Sequence, residues 1–198
     1  VYKRQGISME NLTETKLTSE KIYSGCILDF YRDTVRLPNG HLTTREVIDH
    51  PGGVAVVAID ENDNVLTVKQ YRYAFQTVLE EIPAGKLERG EDPAAAARRE
   101  LSEETGASCE TLTPLGEILA SPGGFTEVLH LYMATGLTFG SQHPDEDEFI
   151  NFERVPFDAL LDRCLSGDLR DGKTVAGVLK VYALRTRKKE AAAAASFS

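Results

Sequence analysis

The sequence predicts an α+β fold, a mixed β-sheet flanked by helices with a small antiparallel β unit in front. Three observations predict it. β-leaning and helical runs alternate irregularly, without the even strand-helix-strand spacing of a doubly wound sheet. Turn residues break the runs at Pro38-Asn39-Gly40, Pro51-Gly52-Gly53 and Pro83-Ala84-Gly85. Hydrophobic residues make up 41% of the chain and charged ones 27%, enough for one sizeable core with at most a small appendage.

In chain order, residues 21–30 and 34–37 are β-leaning, and Pro38-Asn39-Gly40 turns the chain into a further strand over 43–48. Residues 54–59 and 65–70 read as buried strands joined by a turn over 60–64, a second expected hairpin. A strand over 78–82 runs into the bend at Pro83-Ala84-Gly85. A helix then starts with Asp92 as cap and Pro93 in its first turn, and stops at Gly106. Strands over 113–120, 128–134 and 149–155 and helices over 157–165 and 174–188 complete the pattern. Pro51-Gly52-Gly53 marks the boundary between an N-terminal β-hairpin unit, 9–50, and a larger domain, 51–190. Residues 1–8, which precede Met9, and the alanine-rich 191–198 are expected to be disordered or foreign to the fold, with a frayed end of the last helix as the other reading of 191–198.

Charge and cysteine content exclude several classes. With 22 Lys and Arg against 31 Asp and Glu the formal charge is −9, which argues against nucleic acid as a partner. Cys26, Cys109 and Cys164 are far apart with no Cys-x-x-Cys pair, the pattern of reduced thiols in a cytoplasmic protein. No apolar run approaches the roughly 20 residues a membrane span needs, and no membrane association is expected. His130 alternates with Leu129 and Leu131 and reads as structural, while His41, His50 and His143 show no ligand spacing.

The chemistry is concentrated in residues 85–107, GKLERGEDPAAAARRELSEETGA. At roughly 100° per residue, with Glu100 as zero, Glu103 falls near 300° and Glu104 near 40°, so three carboxylates leave one side of the helix. Ala94, Ala97 and Leu101 form the adjoining apolar stripe that can anchor the helix on a sheet. Like charges one turn apart destabilise a helix, and the macrodipole disfavours anions near its C-terminus. A cation should therefore compensate. Arg99 can partner Glu91 across the loop, and a hard divalent cation suits the carboxylate cluster better; the alternative is a solvated acidic face.

This segment is similar to the signature of the Nudix hydrolases, Gly-x5-Glu-x7-Arg-Glu-U-x-Glu-Glu-x-Gly-U, with U a bulky apolar residue. Gly85, Glu91, Arg99, Glu100, Leu101, Glu103, Glu104 and Gly106 occupy their places, and only Ala107 departs, being smaller than the usual last residue. Chance agreement at the seven fixed identities is on the order of 10⁻⁹ per window. The resemblance implies the Nudix fold, an α/β/α sandwich. It implies Glu100 and Glu104 as principal Mg²⁺ ligands, with Mn²⁺ as a substitute, and Glu103 for a further ion or for orienting water. Glu91 and Arg99 would hold loop and helix together, and the Ala84 carbonyl would also touch metal.

Further stretches resemble the ADP-ribose pyrophosphatases: the lead-in Glu81-Ile82-Pro83-Ala84-Gly85-Lys86-Leu87-Glu88, Pro122 sixteen residues after Gly106, and Gln70-Tyr71-Arg72. Carried over, Arg72 and Arg45 bind substrate; Tyr31, an aromatic in a β-rich stretch, is nominated separately for stacking on adenine. The other readings are a solvated strand end for Arg72, a cross-strand ion pair for Arg45 and a core position for Tyr31. Glu148, in the acidic run Asp145-Glu146-Asp147-Glu148, sits where the resemblance places a catalytic base, and Glu127 in Ser121-Pro122-Gly123-Gly124-Phe125-Thr126-Glu127 competes for that role. The expected activity is Mg²⁺-dependent hydrolysis of ADP-ribose to AMP and ribose 5-phosphate. That Ser121–Glu127 stretch and Asp168-Leu169-Arg170-Asp171-Gly172-Lys173-Thr174 also resemble GDP-mannose-cleaving relatives, so another nucleoside diphosphate sugar stays open. A non-catalytic ADP-ribose-sensing module is the rival of a different class. The resemblance further implies a homodimer built through the N-terminal unit.

Overall fold

The computed structural model describes residues 12–142 and 150–195. The chain clusters into two compact units. Residues through Pro51 together with Ser121–Glu127 form the first, and Gly52–Ala120 with Val128 onward form the second.

The first unit is a three-stranded antiparallel sheet in the order β1 (Thr15–Ser24), β2 (Asp29–Arg36), β3 (Leu42–Asp49). The expected turn at residues 38–40 is present: Gly40 takes φ +86°, and its N–H donates to Leu37 O at 2.9 Å. The run 21–30 is two strands, not one, because the chain turns between Gly25 and Leu28, where Gly25 N–H meets Leu28 O at 2.9 Å. Strand β1 starts well before the run that announces it. Every one of its residues is exposed, so it carries no burial pattern to read. The segment Ser121–Glu127 is tied to β3 by hydrogen bonds from Ile48 N–H to Gly124 O and from Thr126 N–H to Ile48 O.

In the second unit a mixed sheet has the order β7 (Ala84–Lys86), β4 (Gly53–Ala58), β9 (Val128–Phe139), β8 (Ala107–Leu119), with β4 and β9 parallel. A second, antiparallel sheet has the order β10 (Asn151–Pro156), β5 (Asn64–Arg72), β6 (Thr77–Glu81). The expected hairpin of 54–59 with 65–70 is replaced by a divergence. Strands β4 and β5 share only the bridge Ile59–Val65 and then enter different sheets. Burial on both faces is the physical reason: a continuous apolar strand can pair with any neighbour, and β4 takes β9 and β7.

Period-two alternation distributes these strands between two cores. Ala55, Val57, Ile59 and Leu131 join Leu160, Val178 and Val181 in one core, under α2 (Phe157–Ser166) and α3 (Gly172–Ala195). Val54, Val56, Ala58 and Ala134 join Ala96, Ala97 and Leu101 in the other, under α1 (Pro93–Thr105). The second unit is therefore an α/β/α sandwich. Of the two readings of the alanine-rich tail, residues 191–195 follow the second and continue α3, consistent with the high helix propensity of alanine. Among the described residues no helix is long and apolar enough to cross a membrane.

Candidate active site

Helix α1 begins as the sequence requires. The Asp92 side chain accepts from Ala95 N–H at 2.9 Å, Pro93 opens the first turn, and Gly106 closes the helix at φ +69° with its N–H on Ser102 O. A Cβ at Gly106 would lie 2.6 Å from Gly140 O, so both conformation and space demand glycine.

The buried side of α1 differs from the expected stripe. Ala96 is fully buried and Ala94 only partly, and the carboxylates of Glu100 and Glu104 lie on the buried side too, the residues being 8% and 3% exposed. This excludes the solvated acidic face for those two. Gly85 explains how they fit: a Cβ there would overlap the Glu100 carboxylate, so the glycine makes room for it. On the next turn, Glu104 Oε2 accepts the Ala84 N–H at 3.0 Å. Strand β7 is thus docked along the acidic side of the helix.

Arg99 supplies the local cation. Nε and Nη2 donate to the two oxygens of Glu91 at 2.9 and 3.0 Å, and Nη1 donates to Glu100 at 2.8 Å and Glu103 at 2.9 Å. Nη2 also reaches Lys86 O at 3.3 Å, joining loop to helix. The Arg99 bond, with the Glu88 N–H behind it, holds the Glu91 carboxyl below its ordinary value, and Glu91 first, then Glu100 and Glu103, raise the guanidinium. Among the described residues no three acidic, histidine or cysteine side chains already close on a metal position; Glu100 and Glu103 share Arg99, and Glu104 accepts the Ala84 N–H.

Arg72 is not a free strand end. Its Nε and Nη2 each donate at 2.7 Å to the buried Glu81, and the charges of Glu81, Asp171 and Glu104 all help to raise its pKa. Sequence reasoning missed the rest of this cluster. Lys173 pairs with Glu81 and, at 3.0 Å, with Asp171, and Thr174 Oγ1 accepts the Ile82 N–H at 2.8 Å. In the sequence Glu81 and the stretch 168–174 stand out only as parts of separate motifs, and no spacing rule connects them.

Arg45, Tyr31 and Glu127 lie in the first unit. Arg45 donates to Glu14, at 2.9 Å from Nε, and stands opposite Asp33 across β2 and β3. Tyr31 is half-buried in β2, with Lys21 Nζ 5.3 Å from its ring centroid and its hydroxyl 3.5 Å from Asp29. Glu127 lies 3.7 Å from Nδ1 of His50, a residue given no role from sequence, whose ring packs on Phe125. Glu148 falls outside the described residues. His130 meets Glu117 at 3.3 Å across β8 and β9.

A family model described as NUDIX domain matches residues 49–176. The methanol dehydrogenase activator of Bacillus methanolicus is 42% identical over 167 residues, 83% of this chain and 90% of its own. The ADP-ribose pyrophosphatase of Bacillus subtilis (strain 168) is 39% identical over 168 residues, 84% and 91% of the two chains. In fold, a crystal structure of an ADP compounds hydrolase superposes with a TM-score of 0.78 at 22% identity, covering 88% of this chain and 95% of that one. An intact glutamate motif on α1, inside a family match that takes in most of the chain, means that this protein belongs to the Nudix family.

Proposed function

We propose that this chain hydrolyses the diphosphate bond of ADP-ribose to AMP and ribose 5-phosphate with the help of a divalent cation, Mg²⁺ or Mn²⁺. The observation that carries the reading is the acid-rich helix face: Glu100 and Glu104, one turn apart and nearly buried, with Glu103 and Glu91 nearby and Arg99 as the shared cation. Hard carboxylate oxygens on a rigid helix are the donor chemistry such a cation takes. Glu100 and Glu104 would hold it, with the Ala84 carbonyl and Glu103 adding to the set. When bound, the cation neutralises diphosphate charge and lowers the pKa of water. Glu127 or Glu148 would accept the proton from the attacking water, and Arg72, Arg45 and Tyr31 would bind the substrate. The name of the Bacillus subtilis relative supports the choice of ADP-ribose.

The first unit supports a homodimer as a further proposal. Strand β1 is an edge strand exposed along its whole length, with Leu17, Ile22 and Tyr23 40%, 41% and 61% exposed, the kind of edge that partners cover. A cytoplasmic location accords with three cysteines that form no disulfide. A second reading, a regulatory module acting on another enzyme, draws on the name of the Bacillus methanolicus relative. Full retention of the motif glutamates weighs against a non-catalytic version of it.

The deciding experiment is AMP release from ADP-ribose with Mg²⁺, run beside GDP-mannose. Rapid turnover of ADP-ribose alone is expected. Equal turnover of GDP-mannose would remove the narrow substrate assignment, and tight binding without hydrolysis would favour the regulatory module.

A further inference from the structure

The second unit contains an ion cluster that the metal chemistry does not use. Glu81 closes β6 and is 2% exposed, yet it faces two cations, Arg72 from the end of β5 and Lys173 from the first turn of α3. A lysine in the first turn opposes the helix dipole, so its position needs a reason. Glu81 on one side and Asp171 on the other supply it. Asp171 in turn accepts the Thr174 N–H at 3.0 Å in the manner of an N-cap, and Thr174 Oγ1 accepts the Ile82 N–H at 2.8 Å. The start of α3 is thereby fastened to the backbone just after Glu81.

The geometry around Arg72 gives this frame a purpose. The fork to Glu81 uses Nε and Nη2, which fixes the guanidinium plane, while Nη1 carries two further N–H groups and the side chain is 41% exposed. Three residues after Glu81, the Ala84 N–H donates to Glu104 at 3.0 Å, so the chain that carries the fork also contacts the acid-rich helix. We propose that Glu81 is a positioning residue: it aims Arg72 at the substrate's diphosphate beside the motif carboxylates, with Lys173 and Asp171 as its support. This deepens the diphosphate-hydrolase reading and rests on it. Burial alone would raise the Glu81 carboxyl, but Arg72 and Lys173 together outweigh it and hold it below its ordinary value, so Glu81 stays an anion and the fork stays closed.

The test is a double-mutant cycle on the full chain, with Glu81→Gln, Arg72→Ala and the pair, read as KM and kcat for ADP-ribose and GDP-mannose and as Kd for inorganic diphosphate with Mg²⁺. Glu81→Gln should raise KM about tenfold with kcat changed by less than about twofold, and in the Arg72→Ala background its effect should vanish. The same factor in both backgrounds, a fall in kcat at constant KM, or no effect would overturn the proposal. Lys173→Met leaves the Arg72–Glu81 fork in place and should raise KM less than Glu81→Gln; the reverse order would make Lys173 the anchor and also overturn it. If circular dichroism shows that Glu81→Gln does not fold, Glu81→Asp keeps the charge but shortens the reach, and should give the same rise in KM. Hydrolysis of neither sugar by the wild type would sink the substrate reading alone, because the cycle is then read from diphosphate binding. Absence of diphosphate binding would sink the anchor itself.

Discussion

Two ion clusters in the second unit differ in charge balance. Around Arg99 one cation serves three carboxylates, Glu91, Glu100 and Glu103, whereas Arg72 and Lys173 are matched by Glu81 and Asp171, two cations to two carboxylates. The first cluster is rich in acid and suits an added cation. The second keeps a guanidinium partly exposed and suits an added anion. A metal-assisted diphosphate hydrolase needs both, because its substrate is an anion and its helper ion is positive.

The largest expected effect tests the acid-rich side. Glu104→Gln preserves volume and can still accept the Ala84 N–H, so the fold should survive while the charge is lost. We expect kcat for ADP-ribose to fall at least about a hundredfold, with little change in melting temperature. Full activity in that variant would break the assignment of the cluster to catalysis.

Stability should separate the clusters next. Arg99→Ala leaves Glu91, Glu100 and Glu103 without their shared cation; the Arg99 side chain is 32% exposed, so screening reduces the loss to about 2 kcal/mol. That corresponds to a melting temperature lower by about 4–8 °C. Acid should erode the same interaction. The Glu91 carboxyl is depressed below its ordinary 4.5 by Arg99, so its contribution is whole above that value and is lost as pH falls through the folded pKa. Wild-type melting temperature should then drop faster below about pH 4.5 than that of Glu91→Gln. Parallel curves would mean that the pair contributes nothing. A related loss follows at the end of the helix, where Gly106→Ala should cost about 1–2 kcal/mol from its left-handed φ, with the close Gly140 O adding to it.

How much of this was legible from sequence follows from chain separation. The acid-rich cluster lies within one loop and helix, so turn residues, caps and a 100° projection located Glu91, Arg99, Glu100, Glu103 and Glu104 together. The projection gave direction but not depth, and the burial of Glu100 was decided by Gly85 on another element. The second cluster joins residues 72, 81, 171 and 173, which only the meeting of β5, β6 and α3 brings into contact. Arg72 could be found by resemblance, but its partners could not. The same distinction explains why the expected β4–β5 hairpin does not form, its apolar strands pairing with other partners, and why β1, whose exposed residues follow no burial period, is not legible in full.

The smallest effect asks whether the helix or its charges matter more. Asp92 caps α1 through Ala95 N–H, and Asp92→Ala should cost about 1 kcal/mol, while Asp92→Asn should cost less because its amide oxygen can accept the same bond. The cap lies about 18 Å along the helix from Glu104 at 1.5 Å per residue. Thermal melts should therefore register Asp92→Ala, and kcat should not, since the glutamates near the far end are held by Arg99, Ala84 and the Gly85 cradle rather than by the first turn. If Asp92→Ala lowered kcat as far as Glu104→Gln does, the order of the whole helix, and not the excess of carboxylates over cations at its end, would set the activity.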